Sequence, residues 1–142
     1  MNTDYTITTD QRRFDLIAIH AFLSQSYWSP GVPMSIIEKA LANSLAFGLF
    51  FGDAQVGLAR VVSDRATFAY LADVYVLEAH RGKGLSKRLL EAVLAHEELQ
   101  GLRRFLLATK DAHGLYAQFD FNALANPSRM MERWRPDAHI AP

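Results

Sequence analysis

The sequence predicts a mixed α/β (α+β) domain, and three observations carry that prediction. Two early segments and one later segment repeat their apolar residues at helical spacing. Three strand-like runs follow one another between residues 45 and 77, separated by short turns. The third run leads through a glycine-containing loop into a helical pattern, a strand–helix–strand unit within an otherwise hairpin-connected sheet. At 142 residues the chain fits one domain, 1–142, long enough to bury a real core.

The elements follow in order. "DYTIT" (4–8) alternates like a first strand. Asp15 offers an N-cap to a helix over 16–26, where Leu16, Ile17, Ile19, Phe22 and Leu23 share helical spacing. "YWSPGVP" (27–33) breaks it with Pro30, Gly31 and Pro33. Ser35 is placed to cap a second helix, "IIEKALANSL". Residues 45–64 read as two strands joined by a Gly52-Asp53 turn, Arg65 and Ala66 mark another turn, and "TFAYLADVYVL" (67–77) is a third strand. Residues 84–100 form a helix with Leu85, Leu89, Val93 and Leu94 inward, ended by Gly101. "RFLLAT" (104–109) predicts a short buried strand, "DAHGLYAQFDF" (111–121) a short helix running into a strand, and "RMMERW" (129–134) a last strand.

Composition removes several function classes. Half the residues are hydrophobic and 21% charged, which describes a globular chain. Zero net charge argues against a protein that coats nucleic acid or an anionic membrane. The absence of cysteine excludes disulfides, zinc–thiolate sites and cysteine nucleophiles. The polar N-terminal stretch lacks the apolar core of a signal peptide, and the longest apolar run is interrupted by Gly48 and ended by Gly52. A soluble cytoplasmic protein is expected. The five histidines show no metal-ligand pairing, so no metal is expected.

The segment "RGKGLSK" (81–87) sits between a strand and a helix. Unpaired amides and the positive end of the dipole make that helix start an anion site, and Gly82 and Gly84 let the backbone approach closely. Arg81, Lys83, Lys87 and Arg88 add positive charge. The spacing is not that of a Walker A loop, and the dinucleotide fingerprint fails because position 87 is lysine rather than glycine. Two readings stand on spacing alone: a diphosphate cradle, or a loop whose basic residues face water.

Two motifs together carry a family resemblance. "YLADVYVLEAHRGKGLSKRLLEAVL" resembles the acetyl-CoA-binding motif Arg/Gln-x-x-Gly-x-Gly/Ala of the GCN5-related N-acetyltransferase (GNAT) superfamily; Arg81 and Gly84 match, and Ser86 stands at the Gly/Ala position. "TKDAHGLYAQFDF" resembles the later motif Asn-x-x-Ala-x-x-Leu-Tyr leading into Gly-Phe, matched at Ala112, Leu115, Tyr116 and Phe121. Thr109 replaces the asparagine, which removes one expected contact to the pantetheine arm, and Asp120 replaces the glycine. If position 120 requires positive φ, aspartate there costs about 1 kcal/mol.

The resemblance implies a GNAT-type mixed, mostly antiparallel sheet with about four helices, and transfer of acetyl from acetyl-CoA to an amine. It implies a cofactor site at Val74 and Val76, whose backbone groups meet the thioester and pantetheine, at Arg81, Gly82, Lys83, Gly84, Leu85, Ser86 and Lys87, and at Thr109. The chemistry makes two demands: an amine of lysine-like pKa costs about 4.6 kcal/mol to hold neutral at pH 7, and the departing thiolate must be protonated or stabilised. Tyr116 is the candidate general acid, with core packing as the competing reading. Asp73 is the candidate base, directly or through water; a carboxylate in so apolar a strand otherwise needs an arginine or backbone donors. In a regular strand 71, 73 and 75 share one face and 72, 74 and 76 the other.

For the acceptor, the resemblance nominates Tyr27, Trp28 and Met34 between the first two helices, with Tyr75 a further candidate. Trp28 has an alternative role as an anchor of its loop. A small-molecule amine acceptor is the favoured reading; a protein lysine or N-terminal amine, or a non-catalytic acetyl-CoA sensor, are the alternatives. Homodimers are common in the superfamily, and "RMMERW" is a candidate contact.

Overall fold

Residues 4–140 are described by the computed structural model, in which a five-stranded sheet runs in the order β1-β2-β3-β4-β5. The strands are β1 (Tyr5–Thr8), β2 (Leu45–Phe51), β3 (Ala54–Ser63), β4 (Phe68–Val76) and β5 (Arg104–Leu107). The helices are α1 (Leu16–Leu23), α2 (Met34–Ala42), α3 (Leu85–Ala95) and α4 (His113–Ala117). The first four strands pair antiparallel and β5 joins β4 in parallel, so the sheet is mixed and mostly antiparallel. The parallel step needs a crossover, which α3 supplies.

Local chemistry accounts for most boundaries. The Asp15 carboxylate accepts from the Ala18 amide at 3.0 Å, the N-cap the sequence predicts for α1. That helix stops at Leu23, three residues early, because the Ser26 hydroxyl donates to the Leu23 carbonyl and accepts from the Ser29 amide. The second helix starts at Met34 with Pro33 as its N-cap, so the expected cap at Ser35 is wrong by two residues: proline already holds φ near the helical value. The Gly52-Asp53 turn joins β2 to β3 as predicted. The last predicted turn of α3 is a separate 3-10 turn over Glu97–Leu99, entered through an extended His96.

The sheet is covered on both faces. Phe47, Leu49, Ala59, Val61, Leu71 and Val76 pack with Leu85, Leu89, Leu90 and Val93 of α3. Leu90 takes the buried position expected of Leu94. On the other face Ala46, Leu58 and Tyr75 meet Ile19, Leu23, Ile37 and Leu41 of α1 and α2. Gly48 lies on this second face, where a Cβ would stand 2.6 Å from the Phe14 ring, so only glycine lets the segment before α1 lie flat on β2.

Three expectations fail. Opposite Arg60–Val61 of β3, β4 inserts Ala72 as an extra residue, since Arg60 pairs with Asp73 and Val61 with Leu71. The bulge resets the alternation: Leu71 packs with Val74 and Val76 toward α3, while Asp73 and Tyr75 turn to the other face. Next, β5 is half-buried rather than buried, because no described strand covers its outer edge. Finally, neither the segment after α4 nor residues 129–134 form strands; they are irregular and largely exposed.

Candidate active site

The site begins where β4 loses its neighbour. β5 pairs with β4 only from Phe68 to Leu71, and beyond that point β4 continues alone on that side. The Leu77 amide donates to Val56 of β3 at 2.8 Å, so by strand alternation the backbone groups of Val74 and Val76 face away from β3, into the gap. A cavity of about 470 Å³ fills this opening, bounded by Val74 and Asp73 of β4, Thr109 and Lys110 after β5, and Tyr116 of α4. The bulge at Ala72 thus delivers the free amides that sequence alone does not reveal.

A second hollow, about 220 Å³, lies further along the same edge and includes Val76, Arg81, Gly82, Gly84, Ser86 and Lys87. Leu85 and His80 also border it, whereas Lys83 is exposed and does not. Gly82 and Gly84 have φ of 79° and 72°, in the left-handed region that other residues avoid. Gly84 is the N-cap of α3 and its carbonyl accepts from the Arg88 amide at 3.1 Å. The loop is braced from behind: Arg81 Nε donates to the Val76 carbonyl at 2.8 Å, and the Tyr5 hydroxyl bonds His80 Nδ1 at 2.7 Å. Gly84→Ala is expected to lower stability by about 1 kcal/mol, read by urea denaturation. The cost is purely conformational, since an added Cβ at residue 84 meets nothing within 4 Å.

Tyr116 sits on the opposite wall, half-buried, its ring edge-on to Phe121 at 6.0 Å between centroids. Burial first, and the nearby Tyr27 second, raise its phenol above the ordinary value of 10.0. Thr109 caps the approach to α4, its Oγ1 accepting from the Ala112 amide at 3.1 Å. The helix closes through Asp120, whose φ is 67°: its amide donates to Ala117 and the Phe121 amide to Tyr116, the paired bonds of a left-handed helix stop. Position 120 therefore is the positive-φ site that the family's glycine would suit.

Asp73 is buried and occupied. One carboxylate oxygen accepts from Trp28 Nε1 at 2.7 Å and the other from Arg60 Nε at 2.7 Å, while Arg60 Nη1 reaches the Ser44 hydroxyl at 3.1 Å. Of the two readings of Asp73, the geometry realises the arginine pair, and Trp28 is the anchor of its own loop through that carboxylate. Tyr27 and Trp28 both line the main cavity. Met34 borders neither it nor the chamber beside it. Tyr75 does not reach the cleft: it is 5% exposed and stacks on Phe22 with centroids 3.9 Å apart, because the bulge turns it to the α1 face. Burial, with Asp73 and Asp15 nearby, raises its phenol still further. Arg60 went unnamed in the sequence, though a lone arginine inside "VGLARVVS" carries the same signal as a lone aspartate inside "YLADVYV".

Beyond the Trp28–Asp73–Arg60 trio lies a smaller chamber of about 180 Å³, walled by Leu23, Val32, Ile36, Ile37, Ala40 and Leu41, with His139 of the C-terminal segment also lining it. Ser29, Arg60 and Asp73 border both spaces, so the two adjoin there.

A mixed sheet parted beside β4, with a glycine-rich helix start at one end and a half-buried phenol at the other, is an acyltransferase architecture. A crystal structure of a protein assigned to the GNAT family, from Xanthomonas campestris pv. campestris, matches with a TM-score of 0.94 at 48% identity, covering 96% of this chain and 97% of that one. A Gibberella zeae protein named among the acetyltransferases is 33% identical, covering 81% of this chain and 77% of its own. A GNAT-family acetyltransferase from Elizabethkingia anophelis, solved with acetyl-CoA bound, shares the fold at a TM-score of 0.61 and 12% identity, over 82% of this chain and 75% of that one. The profile of the Acetyltransferase (GNAT) family matches residues 15–121, and the chain belongs to that family.

Proposed function

We propose that this acetyltransferase is a single-domain, acetyl-CoA-dependent N-acetyltransferase whose acceptor is a small primary amine carrying an apolar group. The residues present suit the cosubstrate: two left-handed glycines leave open space at a helix start, Lys87 and Ser86 stand beside it, and the freed edge of β4 leads from there toward Tyr116. Gly82, Gly84 and Leu85 to Lys87 would hold the diphosphate, and Val74 and Val76 the pantetheine through their backbone. When bound, acetyl-CoA supplies an activated acyl group to the amine. Tyr116 Oη, its phenol held above 10.0 by burial, keeps its proton at neutral pH and would give it to the departing sulfur. Asp73 positions: it fixes Trp28 and Arg60, and with them the wall between the cleft and the apolar chamber.

The chamber is the observation that favours a small acceptor. An enclosed apolar cavity of about 150 Å³ holds a benzene ring; this chamber, about 180 Å³, is walled mainly by aliphatic side chains, with Ser29, Arg60, Asp73 and His139 also lining it. It suits a phenyl or branched alkyl substituent, with the amine left in the main cleft. Thiol release across an amine panel tests this. Arylalkyl and branched alkyl amines are expected to give the highest kcat/KM, and Ala40→Phe, which fills the chamber, to raise their KM about tenfold while sparing short amines. Equal loss for every amine, or turnover only with protein substrates, would sink the reading.

A further inference from the structure

Arg60 is held by two of its guanidinium nitrogens and offers the third. Nε donates to Asp73 at 2.7 Å and Nη1 to the Ser44 hydroxyl at 3.1 Å, while Nη2 donates to no described residue. Among the described residues no buried polar side-chain atom lacks a partner, so Nη2 is open to the spaces that Arg60 borders. Those are the main cleft and the chamber beside it. Ser29 borders the same two spaces. Its amide donates to the Ser26 hydroxyl at 3.1 Å, and its own hydroxyl bonds no described residue. Two donors thus stand unclaimed where the cleft and the chamber adjoin.

This junction suits one carbon atom with three different substituents. The amine has to lie in the cleft, on the side of Tyr116. An apolar group fills the chamber, whose walls are mainly aliphatic. A carboxylate on the same carbon then falls between them, beside Arg60 and Ser29. Hydrogen bonds from a guanidinium to a carboxylate are among the strongest a protein makes. Charge selects further. A simple carboxylate is repelled by Asp73 about as strongly as Arg60 attracts it, because those two groups are in contact. An amino acid brings its own ammonium group and approaches the ion pair with no net charge.

We infer that the acceptor is a free α-amino acid with a branched aliphatic or phenyl side chain. This rests on the N-acetyltransferase reading above and narrows it to a substrate class. The amine nitrogen bonds the acetyl carbon as the carbon–sulfur bond breaks. Of the two protons that leave the ammonium, one goes to solvent and the other replaces the proton that Tyr116 gives to sulfur. The products are an N-acetylamino acid and the free thiol. Arg60 and Ser29 hold the carboxylate and take no part in the proton transfers.

Thiol release from acetyl-CoA is compared for leucine and phenylalanine, each as both enantiomers, and for isoamylamine and phenethylamine, which lack only the carboxylate. The better enantiomer is expected to exceed its decarboxylated counterpart in kcat/KM by about 10- to 100-fold. It should exceed its mirror image by about tenfold or more, because three fixed contacts on one carbon admit one hand. Arg60→Lys keeps a positive charge for Asp73 without the free nitrogen, and Ser29→Ala removes only a hydroxyl. Each should shrink the preference for the carboxylate while changing phenethylamine turnover much less, a split that a merely loosened wall does not produce. Amines turned over as well as amino acids, or equal rates for both enantiomers, would overturn the amino-acid class and leave the amine reading standing. No turnover of any free amine or amino acid would remove both.

Discussion

Tyr116→Phe is expected to cut turnover by a factor of about 10² to 10⁴ while leaving acetyl-CoA affinity and the fold intact. The phenylalanine keeps the ring in place against Phe121, so packing survives and only the hydroxyl is lost. The expected size follows from what that hydroxyl does. A thiol of ordinary pKa, about 8.5, leaves poorly as a bare thiolate into a half-buried cleft, and a protonated phenol at the same wall relieves that cost. The sign of the pH dependence is fixed by the direction of the shift. A general acid works only while protonated, and burial raises this phenol above 10.0, so the wild type should lose activity on the alkaline side only above pH 10.0. The variant should lack that limb. Thiol release at saturating substrates and calorimetric titration with acetyl-CoA read the two quantities separately. An unchanged kcat in a folded variant would remove Tyr116 from the chemistry.

Legibility in the sequence followed the range of the interactions involved. The glycine loop before α3 was readable because its chemistry is local: glycine conformation, charge and a helix start lie within seven residues, and φ of 79° and 72° bear out the turn that the glycines predict. The N-cap at Asp15 and the Gly52-Asp53 turn were readable for the same reason. The bulge at Ala72 was not, because it is a mismatch between two strands and neither sequence contains it. That one residue decides that Tyr75 is core rather than cleft, and it turns Asp73 toward Arg60. The strands predicted after α4 failed for a related cause. "RMMERW" has the side chains of a strand, but a strand exists only where an edge receives it, and among the described residues no strand pairs with it.

The charged trio should be the most sensitive structural point of the site. Asp73→Ala is expected to destabilise the protein by about 3–5 kcal/mol, because it leaves the Arg60 guanidinium buried without its counter-charge and Trp28 Nε1 without an acceptor. Both partners are largely sheltered, with side-chain exposures of 19% and 9%, so solvent does little to replace the lost contact. Urea denaturation measures the loss, and Arg60→Met combined with Asp73→Leu supplies the control: removing both charges together should cost much less than removing one. Asp73→Asn then separates positioning from base catalysis. It keeps an acceptor for Trp28 but sets an amide NH2 against Arg60 Nε, so the variant is compared at a temperature where it stays folded, and a positioning residue predicts a weaker enzyme with the rise of its pH–rate profile on the acidic side still present. A base predicts that this rise disappears along with most of kcat. The two donors already seated on the carboxylate favour the first outcome, because a proton taken up by Asp73 would have to displace or weaken a charged hydrogen bond that holds the cleft wall together.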